Sequence, residues 1–371
     1  MNKFAFLNHY LNTDLLHERF SLPFFRHLSH QTLKNLIAFL PPYQYMNIGP
    51  VYSTSGARAE GIGIACPLLP EHFVTLDAKR VLQKIVAAGK IGERFGATIL
   101  GLGGFTSVFG DEGEEVSRFL RIAVTSGNTY TAALAVQGLI AAANLVGHRL
   151  EECTLAIVGA TGDIGSACTR LLAPQVSRVL LSARDERRLE DFTATLQACS
   201  STTVQVVRYT TEAVREADLI LTATSALTTI IEPEDLRPGA VVCDVSYPAN
   251  ITRDVAKRRK DVLVFEGGLA TWPYYNSLLQ KDKLQRFGPA GTVHGCLAET
   301  MVLALEGRFE NFSIGRGYII ESRVREITML AEKHGFRPAP LHCGATFYTN
   351  EDIQRIKAVV ASYRRRTATA T

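Results

Sequence analysis

The 371 residues, 46% apolar and only 20% charged, suffice for two or three domains with a substantial core and exclude an intrinsically disordered chain. Forty Lys and Arg side chains against 36 Asp and Glu leave a net charge of +4, spread too thinly for a nucleic-acid binder, and 29 Gly with 14 Pro exclude collagen-like and low-complexity readings. Cys66, Cys153, Cys168, Cys199, Cys243, Cys296 and Cys343 are odd in number, far apart and never in C-x-x-C spacing, which argues against a disulfide framework or zinc cluster and for reduced thiols in a cytoplasmic protein.

From the N-terminus, the apolar start Phe4-Ala5-Phe6-Leu7 is broken by Asn8, His9, Asn12 and Asp14 before a signal-peptide core develops. Leu22, Phe24, Phe25, Leu28, Leu36, Ile37, Phe39 and Leu40 fit the wall of an apolar pocket and an ordinary packed helix equally well. Ile122 to Gly147 carries no charged side chain, but only Ala132 to Val146 is apolar enough, short of the roughly 20 residues needed to span a bilayer. A buried core helix is expected there, with no integral membrane insertion.

The pattern then changes to short apolar runs alternating with helical stretches, the signature of a parallel sheet built from βαβ units. Predicted strands are Leu155–Val158, Val179–Ser182, Val204–Val207, Leu219–Thr222, Val241–Val245 and Val262–Phe265. The first runs directly into Gly159-Ala160-Thr161-Gly162-Asp163-Ile164-Gly165, which opens a helical stretch. In that context the glycines permit a sharp turn and close approach to a pyrophosphate, and the helix start offers free N–H groups to it. About twenty residues on, Ser182 and Arg184 close the second strand with no carboxylate for a ribose hydroxyl. A guanidinium there suits the 2′-phosphate of NADPH, and Ser182 offers a further hydroxyl. Thr222-Ala223-Thr224 lies at the carboxyl edge where open α/β sheets bind ligands, as does Ser246-Tyr247-Pro248.

Lys257-Arg258-Arg259-Lys260 suits either an acidic partner or a solvated loop. Cys296 to Leu305 and Ile319 to His334 read as helices closed by Gly307 and Gly335; Ile320, Val324, Ile327 and Ala331 give the second an apolar face. Arg364-Arg365-Arg366 reads as a frayed basic tail. No carboxylate cluster has ligand spacing, so no metal site is predicted. Cys296 follows His294-Gly295 at a helix start, where the dipole and unpaired N–H groups lower a thiol pKa and favour a nucleophile. A cysteine leading an apolar helix is also, as a rule, a small buried hydrophobe. His294 serves such a thiol as a base only if both lie in the loop.

Six blocks, Leu102-Gly103-Gly104-Phe105-Thr106-Ser107, Thr125-Ser126-Gly127-Asn128-Thr129-Tyr130-Thr131-Ala132, Val158 to Cys168, Cys296-Leu297-Ala298-Glu299, Asn311-Phe312-Ser313-Ile314-Gly315-Arg316 and His334-Gly335-Phe336-Arg337-Pro338, resemble in order and spacing the long-chain acyl-[acyl-carrier-protein] reductases. The resemblance covers nearly the whole chain, with departures at His294 and Ala249. It implies NADPH-dependent reduction of a fatty acyl thioester, carried by acyl carrier protein or coenzyme A, to a fatty aldehyde through an acyl-Cys296 intermediate. It also implies a response to Mg2+, without a dedicated site, and an aldehyde-consuming enzyme as a further partner. Helix-start N–H groups or the hydroxyls of Thr106, Ser107 and Ser126 are candidates to hold the oxyanion.

The expected architecture is α/β: a Rossmann-like doubly wound parallel sheet (151–270) that binds NADP. It is inserted between an N-terminal α/β substrate domain (1–150) and C-terminal helices (271–371) carrying the nucleophile and completing the substrate site. Two other readings stay open. Gly127-Asn128-Thr129-Tyr130 leading into the Rossmann unit has a counterpart in shikimate-dehydrogenase-like oxidoreductases, and a non-catalytic NADP-binding scaffold is the alternative from another class.

Overall fold

The computed structural model describes residues 1–13, 28–199, 202–275 and 289–368; Leu22, Phe24 and Phe25 lie outside them. The chain forms two units. The first comprises Met1–Thr129, Trp272–Tyr318 and Glu326–Arg337, and the second Tyr130–Thr271, Ile319–Arg325 and Pro338–Thr371.

In the first unit, β1 (Asn2–His9), β2 (Tyr43–Tyr52), β3 (Arg58–Cys66), β4 (Ile99–Leu102) and β5 (Ala123–Thr125) form a sheet of order β2-β3-β1-β4-β5. β1 pairs in parallel with β3 and β4, and β4 with β5, while β2 closes one edge antiparallel to β3. Ala5, Leu7, Ile62 and Ile64 share one face and pack with Val81, Ile85 and Ala88 of the helix Ala78–Phe95. Asp77 caps that helix by accepting the Arg80 N–H at 3.1 Å. The helix Gly295–Glu306 also packs on β1 and β4, and Leu297 to Leu305 are buried throughout, so it has no free polar face.

In the second unit, β6 (Thr154–Val158), β7 (Arg178–Ser182), β8 (Thr203–Val206), β9 (Leu219–Thr222), β10 (Val241–Asp244) and β11 (Leu263–Glu266) form a wholly parallel sheet of order β11-β10-β9-β6-β7-β8. The six predicted strands agree with these to within a residue at either end. Successive residues serve opposite faces: Leu155, Ile157, Leu219, Leu221 and Val241 enter one core, and Ala156, Val158, Ile220 and Val242 the other. With both faces covered, the strands read as unbroken apolar runs rather than alternating ones. Strand order turns back between β6 and β9, which creates a switch-point crevice at their carboxyl ends.

The apolar run after Thr131 is buried as expected: Ala132, Ala135, Leu139 and Ala142 of the helix Asn128–Leu145 line the second unit's core. Among the described residues no helix is long and apolar enough to cross a membrane. The units divide the chain differently from a linear 1–150, 151–270, 271–371 partition, because that helix and Ile353, Ile356 and Val360 pack into the core beneath the parallel sheet. The basic tail is not frayed at its start. The helix Asn350–Ala368 runs through Arg364, whose guanidinium pairs with Glu152. Ile320 leaves the expected apolar face, being 52% exposed ahead of the helix Glu321–Lys333, while Ile327 and Ala331 are buried.

Candidate active site

The glycine turn is tied down by its neighbour strand: Gly159 and Ala160 N–H both donate to the Ser182 carbonyl, at 2.8 and 3.2 Å. Gly159 has φ +86°, and a Cβ there would overlap the Ala223 carbonyl oxygen, so a side chain is excluded by both conformation and space. A Cβ on Gly165 would likewise overlap the Gly159 oxygen. The turn is therefore bare backbone leading into the helix Asp163–Leu172. Its first-turn amides are taken by no side-chain cap, because the capping position is Gly162. Such an uncapped N-terminus at a switch point fits a dinucleotide pyrophosphate.

Arg184 is exposed beside the turn and its Nη2 donates to Ser225 Oγ at 3.2 Å. Arg188, which sequence reasoning passed over, donates its Nη2 to the Thr161 carbonyl at 3.2 Å. Two guanidiniums thus flank the glycine turn; the signal was an arginine one helical turn beyond Arg184. Ser182 is buried and its hydroxyl is 3.1 Å from that of Thr210. Thr222 is also buried. Its hydroxyl, that of Thr224 and that of Ser246 all donate to Asn250 Oδ1 at 2.7 Å. Asn250 is a hub that no motif announced. Beneath it the Asp244 carboxylate accepts the N–H groups of Ser246, Asn250 and Ile251, while burial pushes its pKa up to about 6 against those bonds.

In the first unit, His294 is the extended residue that opens the helix Gly295–Glu306, and Cys296 sits in its first turn. Cys66, Cys153, Cys168, Cys243 and Cys343 are buried, whereas Cys296 is half-buried. The backbone N–H groups of Leu297, Cys296 itself and Gly104 favour its thiolate. The expectation of a depressed pKa is nevertheless overturned. Burial outweighs the amides and, with the Glu299 carboxylate, pushes the thiol up to about 12. Glu299 is fully buried one helical turn on and accepts the Thr125 hydroxyl.

The turn at Gly127, between β5 and the helix Asn128–Leu145, lies against Cys296. Gly127 has φ +74°, and a Cβ on it would overlap Cys296 Cα. Its N–H donates to Thr125 Oγ1 at 3.2 Å. The three hydroxyls considered as oxyanion donors each spend their proton on a backbone carbonyl: Thr106 on Gly103 and Ser107 on Gly104, both at 2.7 Å, and Ser126 on Ser313. That leaves the backbone amides around Cys296 as the donors poised for developing negative charge. Of the basic run, Arg259 holds Asp261 at 2.8 Å and Arg258 pairs with Glu234, so half of its charge is met internally.

The sequence profile of the shikimate / quinate 5-dehydrogenase family matches residues 141–266. The chain is 34% identical over 319 residues to the aminotransferase PigE of Serratia sp. (strain ATCC 39006), covering 84% of this chain and 36% of that protein, so it spans about a third of that relative's length. It is 30% identical over 312 residues to the long-chain acyl-[acyl-carrier-protein] reductase of Synechococcus elongatus (strain ATCC 33912 / PCC 7942 / FACHB-805), covering 81% of this chain and 89% of that protein. Among solved structures, a putative malic enzyme (malate oxidoreductase) overlaps 97% of this chain and 84% of its own at 12% identity and a TM-score of 0.43, too loose to carry an argument.

Proposed function

The chain belongs to the family of the long-chain acyl-[acyl-carrier-protein] reductase, nicotinamide-dependent oxidoreductases, and from that premise we propose that it reduces a long-chain acyl thioester to a fatty aldehyde through acyl-Cys296. The observation that carries the reading is a half-buried cysteine in the first turn of a helix, its thiolate favoured by the neighbouring backbone amides, in a chain of that family.

The sulfur of Cys296 attacks the thioester carbonyl, its C–S bond forms, and the carrier's C–S bond breaks to release the carrier thiol. The amides of Leu297 and Gly104 hold negative charge as it develops beside the sulfur. Gly159 to Gly165 and the first turn of the following helix would hold the pyrophosphate, and Arg184 with Arg188 the 2′-phosphate. NADPH, when bound, supplies the hydride that reduces the acyl carbon. Cys296 then leaves as thiolate and regains a proton, so that thioester, NADPH and one proton yield aldehyde, carrier thiol and NADP+. Separating carrier release from reduction in this way gives two accessible steps in place of one difficult one.

The test is to incubate the full chain with hexadecanoyl-[acyl carrier protein] and no NADPH, then measure intact mass. An adduct of one acyl group on Cys296, discharged as hexadecanal when NADPH is added, is the expected result; no adduct would sink the reading. The cofactor assignment is checked separately. Arg184→Ala is expected to raise the KM for NADPH about 10- to 100-fold, the worth of a charge-assisted hydrogen bond, and to leave the KM for NADH within about twofold. Arg188→Ala is expected to act in the same direction.

A further inference from the structure

We infer that His9 is the proton acceptor for Cys296, taking the thiol proton as the sulfur attacks the acyl thioester and handing it to the departing carrier thiolate. The inference rests on the acyl-cysteine reading above and assigns it a base.

His9 is the last residue of β1 and only 5% exposed. Its Nδ1 lies 2.8 Å from the Tyr10 carbonyl oxygen; a carbonyl only accepts, so Nδ1 carries the hydrogen and Nε2 the lone pair. Nε2 is buried and has no hydrogen-bond partner among the described residues. A buried acceptor left unmet costs free energy, and in native proteins such atoms mark a ligand or a catalytic role. Nε2 stands against Gly104: a Cβ built there would be 2.5 Å from it. The N–H of that same glycine is close enough to the Cys296 sulfur to favour its thiolate. Basic nitrogen, Gly104 and nucleophile are therefore consecutive neighbours within the first unit. The rings of Phe73 and Phe105 stand edge-on to the imidazole with centroids at 5.4 and 5.5 Å and fix its plane.

The ionisable groups around this pair leave the role to His9: His294 precedes the helix in which Cys296 lies, so the two do not share a loop. Cys66, the register partner of His9 on β3, is held protonated by burial, with its pKa pushed up to about 12. Lys84, on the helix packed against that strand, spends its ammonium on the carbonyls of Ala38 and Pro67. His72, next to Phe73, accepts the Leu69 N–H, and Glu112, at the end of the Phe105 helix, is paired with Arg316. On the sulfur's own helix stands Glu299, bonded to Thr125. Burial holds the imidazole down to about 4, against the pull of the Tyr10 carbonyl, so Nε2 is empty at neutral pH and able to receive. Thiol and imidazole each resist ionising alone, but thiolate and imidazolium have opposite charge and favour one another, so the proton moves as the substrate is attacked.

In the step, the S–H bond of Cys296 breaks, its proton goes to Nε2, and the sulfur bonds to the acyl carbon. The carrier's C–S bond then breaks and its thiolate takes the proton from Nε2. Nothing is oxidised or reduced, and His9 ends as it began.

The experiment measures the rate of Cys296 acylation by hexadecanoyl-[acyl carrier protein], without NADPH, by quenched-flow intact mass from about pH 6 to 9. The wild-type rate is expected to be flat over that range. His9→Asn, whose amide still reaches the Tyr10 carbonyl but offers no basic atom, is expected to be about 10²- to 10⁴-fold slower at pH 7, the usual worth of a general base. Its rate should climb about tenfold per pH unit as hydroxide takes over, with a thermal midpoint near that of the wild type. A uniform slowing at every pH, or none, overturns the inference and leaves His9 a packing residue. His9→Gln is the second variant, and a wild-type rate that itself climbs about tenfold per unit overturns the inference without any variant. Absence of an adduct in the wild type at all pH values instead overturns the acyl-cysteine reading.

Discussion

Cys296→Ala is expected to abolish both the acyl adduct and aldehyde formation, with kcat down by at least about 10³-fold, because removing a nucleophile leaves only binding and the oxyanion donors. The variant retains the helix, since Leu297 to Leu305 are buried independently of the thiol, and alanine is the best helix former. The nucleotide turn lies in the second unit, so the rise in thermal midpoint produced by NADPH should survive unchanged. That pairing separates lost chemistry from lost cofactor. Cys296→Ser should behave like the alanine variant, because a hydroxyl is a weaker nucleophile than a thiol and gives up its proton less readily. Turnover within about tenfold of the wild type in either variant contradicts a covalent mechanism.

Gly127→Ala is the second large effect. The added methyl overlaps Cys296 Cα and stands 2.5 Å from its Cβ, and alanine at φ +74° is strained before any contact is made. Strain and overpacking together put the loss of stability at about 2 to 5 kcal/mol. Backing the loop away displaces the nucleophile, and a shift near 1 Å is worth about 10²-fold in rate. We therefore expect acylation to fall by about that factor while NADPH binding persists. Gly56→Ala supplies the matched control, because it has φ +83° with nothing within 4 Å of the new methyl. It should lose stability by about 1 to 2 kcal/mol and leave the acylation rate intact. Equal rate loss in both variants would mean that the site responds to stability rather than to the contact.

How far the site could be read in advance follows the range of the interactions involved. The parallel sheet was legible because burial on both faces turns β6, β9 and β10 into unbroken apolar runs, and Gly159 to Gly165 because a turn that excludes side chains must be written in glycine. Arg184 stood out by the missing carboxylate. Asn250 did not: hydroxyls from the end of β9 and the loops after β9 and β10 converge on it only after folding. The Cys296 environment was hidden for a related reason. A helix start is visible in a sequence, whereas the hold on the thiol proton depends on burial, on the Glu299 carboxylate and on the Gly104 amide from a distant part of the chain. His9 is the extreme case, a strand residue with no motif around it, meaningful only through Gly104.

A thiol pushed up to about 12 has a further consequence outside turnover. Peroxide and other cellular oxidants attack thiolates, and a sulfur that stays protonated at rest climbs the ladder to sulfenic and sulfinic acid slowly. On the acyl-cysteine reading, the resting thiol is therefore expected to react with oxidants more slowly than that of a cysteine enzyme that keeps a standing thiolate. Hydrogen peroxide at about pH 7 should inactivate the resting protein slowly, and faster as pH rises towards 9.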